Sequence, residues 1–516
     1  MITQYTIAGV DEAGLGLVAE VLALSSRPGD VLALRGDLGA GKTTFARAFV
    51  RAVLDDPAME VPSPTFTLLQ SYETNRFPIS HFDLYRVESI GEIEELGFDE
   101  AVASTVVLLE WPERAEAQLP SARLEVHLES IADPARRTLH LTGLGDWAPR
   151  LDRIRAVHDF LVSHGRKTGS AARHLRYLQG DASPRAYARL DLGQGTRVLM
   201  NAPAMPDGPP VRDGLPYSRI AHLAEDVRPF VALTRAIGER GLASPQVHAQ
   251  DLAQGLLLLD DLGDLTLGRA VVSGLPQPDL WRAAVDALIA LRRTGRPPDD
   301  LPLTDDAPHA LPVFDRRALA IEAELLTDWY WPAVKGETIP AAARDEFIAL
   351  WMAQFDWLVS LPKGWVLRDY HSPNLMWMPQ NTGIVRVGVL DFQDAMAGPW
   401  AYDLVSLLQD ARLDVPAALE AELFEHYCER VAAIEPDFER TSFAHAYAAL
   451  GAQRNTKILG IFARLWRRDG KPIYLQHMPR IWRYLARDLA HPSLAPLQAW
   501  YDLHFPQADR TRVLAA

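Results

Sequence analysis

Two constellations suited to a magnesium-bound triphosphate lie far apart on one chain of 516 residues. The first is Gly36-Asp37-Leu38-Gly39-Ala40-Gly41-Lys42-Thr43, and the second is Asp369-Tyr370-His371-Ser372-Pro373-Asn374 followed by Leu390-Asp391-Phe392. A glycine-rich phosphate loop needs a strand, the loop and a helix in that order, whereas an acid, an amide and a second acid spaced like the latter three need a two-lobed kinase frame. One active site cannot contain both, so the chain reads as two enzymes fused end to end. Its length exceeds what a single hydrophobic core organises, which agrees.

Composition excludes several classes. With 48% hydrophobic and 23% charged residues, and no apolar run approaching a membrane span, the chain reads as globular, soluble and cytoplasmic. The start, Met1-Ile2-Thr3-Gln4-Tyr5, has neither the basic region nor the apolar stretch of an export signal. A single cysteine, Cys428, leaves no internal disulfide and no cysteine-based zinc site. Residues 1–150 hold 12 Lys+Arg against 23 Asp+Glu, a net charge of −11 out of −15 for the whole. A surface of that sign repels a phosphate backbone, so any nucleic-acid role of this part runs through a protein partner.

Periodicity predicts a helix over 11–24, a buried strand over 30–35 and a helix over 44–54, which flank the glycine loop as its chemistry requires. Strands are expected at 80–86, 105–110, 123–128 and 137–141, then a helix at 151–164, with the domain boundary near residue 148. A small mixed lobe is expected over about 170–265, with a hairpin of 180–190 against 197–202, a proline-rich loop over 202–216 and a strand at 255–259. A large helical lobe fills about 266–516. The expected fold class is an α/β P-loop domain, 1–148, followed by an α+β two-lobed kinase-like domain, 149–516.

In the first constellation, Gly36, Gly39 and Gly41 let successive N–H groups face phosphates, Lys42 reaches the outer phosphates, and the Thr43 hydroxyl ligates Mg²⁺. Behind Thr44 come Ser63-Pro64-Thr65-Phe66, His81-Phe82-Asp83-Leu84-Tyr85-Arg86, Gly97-Phe98-Asp99-Glu100 and Leu109-Glu110-Trp111-Pro112-Glu113. Over residues 1–145 this series resembles the TsaE family, the small ATPase subunit of the machinery that makes threonylcarbamoyladenosine in tRNA. The resemblance implies ATP and Mg²⁺, with Asp83 and Glu110 as acids at the metal, Thr65 as a γ-phosphate sensor, Thr44 in the loop, and Trp111 beside the nucleotide. It also implies protein subunits of the modification complex as partners, and tRNA only indirectly.

In the second, Asp369 would accept the proton of an acceptor hydroxyl while Asn374 and Asp391 hold metal. With Gly180-Asp181-Ala182-Ser183-Pro184-Arg185, Leu258-Leu259-Asp260-Asp261-Leu262-Gly263, Tyr402-Asp403-Leu404 and Arg454-Asn455-Thr456-Lys457, these blocks make residues 155–500 similar to the aminoglycoside-phosphotransferase-like kinases. The narrower likeness is to the anomeric kinases of N-acetylmuramate and N-acetylglucosamine, and implies an amino-sugar acceptor. The resemblance brings Ser183 and Asn201 toward the nucleotide, with Asn201 read as standing where the third strand usually carries a phosphate-pairing lysine. Leu367 replaces the histidine usual two residues before the catalytic acid. Residues 441–490 carry nine Lys+Arg against two Asp+Glu, and from these Arg454 and Lys457 are candidates to pair with a substrate carboxylate or with phosphate, against a solvated basic helix face. The thirteen tryptophans read as core or groove wall, and His371 as a hydrogen-bonding residue of the catalytic loop. Two alternatives stand for this half: a phosphotransferase for another small alcohol, aminoglycoside- or choline-like, and a non-catalytic kinase-like scaffold for the ATPase.

Overall fold

A computed structural model describes residues 2–165, 175–178, 185–192, 195–304, 306–512 and 514. Ser183 and its neighbours 179–184 therefore lie outside the described residues. The chain forms two compact units, one of residues 1–203 with 247–261 and the other of 204–246 with 262–516.

The first unit is built on a seven-stranded sheet. Its strands are β1 (Ile2–Val10), β2 (Val31–Arg35), β3 (Leu69–Tyr72), β4 (Ile79–Asp83), β5 (Val106–Glu110), β6 (Arg123–Ser130) and β7 (Arg137–Leu144), in the order β1-β7-β6-β2-β5-β4-β3. The central β2 runs parallel to β5 and β6, and β4 parallel to β5. Buried on both faces, β2 and β5 are apolar up to their last residues, Arg35 and Glu110, as parallel strands covered by helices must be, whereas the equally buried β4 carries Ser80, His81 and Asp83. Helix α1 (Glu12–Ser25) is capped by Asp11, whose carboxylate accepts from Gly14 N, and α2 (Lys42–Leu54) leaves the glycine loop. Two short helices, α3 (Ile90–Glu95) and α4 (Phe98–Ser104), precede β5. The expected strand at 80–86 stops at Asp83, whose carboxylate accepts from Tyr85 N and turns the chain. Neither β1 nor β3 was expected, because both are half-exposed and lack a clean apolar alternation.

After β7 the chain enters α5 (Trp147–Phe160), which packs on β1, β7 and α1. The same unit then adds a five-stranded antiparallel sheet comprising β8 (Leu175–Leu178), β9 (Ala186–Asp191), β10 (Thr196–Asn201) and the later strands Val247–Asp251 and Leu256–Asp260. The hairpin expected around residue 193 is β9 against β10, with Asn201 opposite Ala186.

The second unit is mostly helical with four short strand pairs, two of which frame its site. Lys363–Val366 pairs with Met396–Pro399, and Leu375–Trp377 pairs with Val387–Val389. Its central element is the 28-residue helix Arg440–Arg467. Five consecutive polar residues of that helix, Gln453 to Lys457, are at most 9% exposed. Gln453 and Lys457 donate to Glu322, Asn455 to Gln409 and Asp488, and Arg454 to Gln409 O, while Thr456 bonds the Tyr501 hydroxyl. A polar helix interior is tolerated only under such pairing. Trp281, Trp351 and Trp365 are fully buried here, as core. Among the described residues no helix is long and apolar enough to cross a membrane.

Candidate functional sites

In the first unit the glycine loop sits between β2 and α2. Gly36 has φ 140, and a Cβ there would stand 2.5 Å from Leu128 O, so only glycine fits. Gly39 and Gly41 also have positive φ. The Lys42 ammonium donates to Gly36 O at 2.7 Å and Asp37 O at 2.9 Å, and lies 3.7 Å from the centre of the Trp111 ring. It is 4% exposed, and burial lowers its pKa against the pull of Glu110. Lys42 thus lies folded over its own loop, stacked on Trp111.

The acids meet through sheet register. β4 and β5 pair Asp83 with Glu110, so two carboxylates end neighbouring parallel strands. Asp83 accepts from Thr65 Oγ1 at 2.8 Å and Ser63 Oγ at 3.3 Å, while Glu110 accepts from Thr43 Oγ1 at 3.1 Å. Lys42, Thr43, Thr65, Asp83, Glu110 and Trp111 are brought into one network, with Thr44 next along α2. Sequence reasoning missed the fully buried His81, whose Nε2 is 3.0 Å from Glu110 Oε1. Its signal was available, since His81 lies two residues before Asp83 on the same face of β4.

In the second unit Asp369, Asn374 and Asp391 come together. The pair Leu375–Trp377 and Val387–Val389 sets Leu375 opposite Val389, so Asn374 and Leu390 flank the same rung, and Leu390 N donates to Asn374 O at 2.8 Å. The Asn374 amide donates to Asp369 O at 3.0 Å and to Asp391 Oδ2 at 3.4 Å. Gln393, 4% exposed and not foreseen, donates to Asp391 Oδ1 at 2.8 Å. Arg368 and Asp391 both have positive φ, which turns the backbone sharply beside each acid.

The backbone around Asp369, residues 367–374, is held by two further acids. Asp403 accepts from Leu367 N at 2.6 Å and Arg368 N at 2.9 Å, and Asp410 accepts from Ser372 N at 2.7 Å and Arg412 N at 2.7 Å. Burial pushes the Asp403 carboxyl up to about 7, against the two N–H groups that favour its ionised form. His371 contributes its backbone oxygen to Asn374 N at 2.9 Å, and desolvation lowers its imidazole pKa, which fits a loop residue held neutral.

Lys457 is committed internally: its ammonium donates to Glu322 Oε1 at 2.7 Å, and Arg368 donates to the same oxygen, so Lys457 is a counter-ion within the fold. Asn201 is also engaged, accepting from Arg153 Nε at 3.0 Å. It shares its face of β10 with Leu199, which lies in the core joined to the ATPase helices, and the residue facing the other way is Met200. The Asn201 side chain is thus held by Arg153 on the face that packs toward the ATPase helices. Most of the basic segment is likewise neutralised, Arg468 by Asp469, Arg480 and Arg483 by Asp414, and Arg487 by Glu420. Arg454 is 5% exposed and makes a long hydrogen bond, 3.4 Å, to Gln409 O.

These geometries define a P-loop ATPase followed by a kinase-like phosphotransferase. Residues 11–138 match the family model "Threonylcarbamoyl adenosine biosynthesis protein TsaE", and residues 174–443 match the "Phosphotransferase enzyme family". The chain belongs to both families, TsaE through its amino-terminal part and the phosphotransferase enzyme family through its carboxy-terminal part. An N-acetylmuramate/N-acetylglucosamine kinase of Caulobacter vibrioides is 39% identical over 64% of this chain and 92% of its own length. A kinase of the same name from Pseudomonas aeruginosa is 35% identical over 61% of this chain and 84% of its own. The tRNA threonylcarbamoyladenosine biosynthesis protein TsaE of Rickettsia felis is 44% identical over 23% of this chain and 69% of its own.

Proposed function

We propose that the chain is a bifunctional cytoplasmic enzyme, divided functionally near residue 148. Its first part turns over ATP for the protein complex that threonylcarbamoylates tRNA, and its second part phosphorylates the anomeric hydroxyl of N-acetylmuramate or N-acetylglucosamine. The kinase reading rests above all on Asn374, which ties the Asp369 backbone to the Asp391 carboxylate. Asp369 orients the sugar hydroxyl and takes its proton as the oxygen attacks the γ-phosphorus and ADP leaves.

Mg²⁺ is a hard ion that takes oxygen donors, and the residues fit it: Thr43, Asp83 and Glu110 in the first site, and Asn374 and Asp391 in the second. When bound, it would neutralise charge on the phosphates. Around it, Lys42 leaves its own loop carbonyls for the outer phosphates, and Thr65, already on Asp83, reports the γ-phosphate. Arg454 is the candidate for an acceptor carboxylate, supported by its single long hydrogen bond among the described residues and by its charge acting on His371 of the loop and on Asp403 of the helix Ala401–Leu408.

The test is the full chain with Mg·ATP and each sugar. Asp369→Asn should lower sugar phosphorylation by roughly 10³-fold or more while ATP hydrolysis at the first site continues. Arg454→Ala should raise KM for N-acetylmuramate more than for uncharged N-acetylglucosamine, and an equal effect on both removes the carboxylate assignment. Turnover with aminoglycosides or choline-like alcohols but neither sugar would overturn the acceptor. No turnover with any acceptor would favour the scaffold.

A further inference from the structure

The phosphotransferase match begins at residue 174, yet β8, β9 and β10 pack within the ATPase unit. One face of that five-stranded sheet carries Leu175, Ala188, Leu190, Leu199, Leu256 and Leu258, each at most 4% exposed. These side chains share a continuous core with Leu15 and Val18 of α1, Phe49 and Val53 of α2, and Ile154 and Val157 of α5. Four elements of the ATPase fold pin the rim. Glu20 of α1 accepts from Leu175 N at 3.3 Å, and Asp55, at the end of α2, pairs with Arg176 at 2.6 Å. Arg76, between β3 and β4, lies 4.1 Å from the centre of the Tyr177 ring, and Arg153 of α5 holds Asn201 and Gln254 O. A helix of 13 residues, a rod of about 20 Å, therefore joins the loop that holds Lys42 to the strand that opens the phosphotransferase sheet.

We infer that the ATPase fold and this sheet form one cooperative body, so that nucleotide held at Gly36–Thr43 rigidifies the sheet belonging to the second enzyme. The inference rests on the reading of that loop as a nucleotide site. A ligand that binds only the closed body slows its opening by the factor 1 + [L]/Kd, which is about 100-fold at a concentration of 100 Kd. Exchange of amides that open only with the whole body should slow by up to that factor.

Hydrogen exchange on the full chain tests this with Mg·AMP-PNP, using Asp391→Asn to weaken nucleotide binding at the second site and Asn374→Ala as an independent variant to the same end. Segments 186–191 and 196–201 should slow together with α2, and adding Thr43→Ala should abolish both effects. Slowing confined to the loop and α2, with the two strands unchanged, overturns the coupling but leaves the nucleotide site standing. Slowing of the strands that survives Thr43→Ala places its source elsewhere and also overturns it. Absence of any effect at residues 36–54 overturns the nucleotide reading itself, and the coupling with it.

Discussion

Glu322→Gln is the most informative single change in the second unit. Glu322 is fully buried on the helix Arg316–Ala323, and its carboxylate accepts from Lys457, Arg368 and Gln453. Burial alone would raise its pKa, but the two cations hold it down from 4.5 to about 2. Breaking a buried ion pair from one side typically costs ~3–5 kcal/mol. Since the folded pKa lies below the unfolded one, the contribution is complete above about pH 4.5 and is lost as the pH falls toward 2.

Glu322→Gln should therefore destabilise the second unit by about 3–5 kcal/mol at neutral pH, because Arg368 and Lys457 remain buried without a counter-charge. Removing one of the stranded cations should recover part of that loss. In urea unfolding followed by tryptophan emission, Glu322→Gln with Lys457→Met should cost at least ~2 kcal/mol less than the sum of the single changes. Arg368 immediately precedes Asp369, so Glu322→Gln should also lower kcat for phosphorylation more than it raises KM for ATP. A cost below ~1 kcal/mol, or a cycle additive within ~0.5 kcal/mol, would refute the triad.

Gly36→Ala should abolish nucleotide binding and destabilise the first unit by at least ~2 kcal/mol in thermal unfolding, because its Cβ meets Leu128 O at 2.5 Å in a backbone conformation closed to alanine. Nucleotide at the loop should shift Trp111 emission as Lys42 leaves the ring, read by fluorescence titration in a variant retaining Trp111 and lacking the other tryptophans that can be removed without unfolding. The raised Asp403 carboxyl makes the native state bind more protons than the unfolded chain between about pH 3.8 and 7, so stability falls with rising pH there; Asp403→Asn should flatten that slope in denaturant titrations at successive pH. Cys428 is 1% exposed and burial pushes its thiol up to about 12, so an aromatic disulfide reagent should label it only after unfolding.

The acids were legible in the sequence because each constellation is local. Strand, glycine loop and helix are contiguous around Lys42, and Asn374 and Asp391 lie just outside the same end of a single short strand pair. What escaped depends on partners distant in the chain. Lys457 and Glu322 are 135 residues apart, and only the packing of Arg440–Arg467 against Arg316–Ala323 shows that a basic residue in a basic run is already neutralised. The bond from Arg153 to Asn201 was equally out of reach, because it joins residues 48 positions apart on α5 and β10. Distant packing also explains why the folded body does not divide at the boundary expected near residue 148. Leu175, Leu190 and Leu199 look like the inward face of any small antiparallel sheet, and nothing local tells that their covering layer is α1, α2 and α5, contributed by the other enzyme.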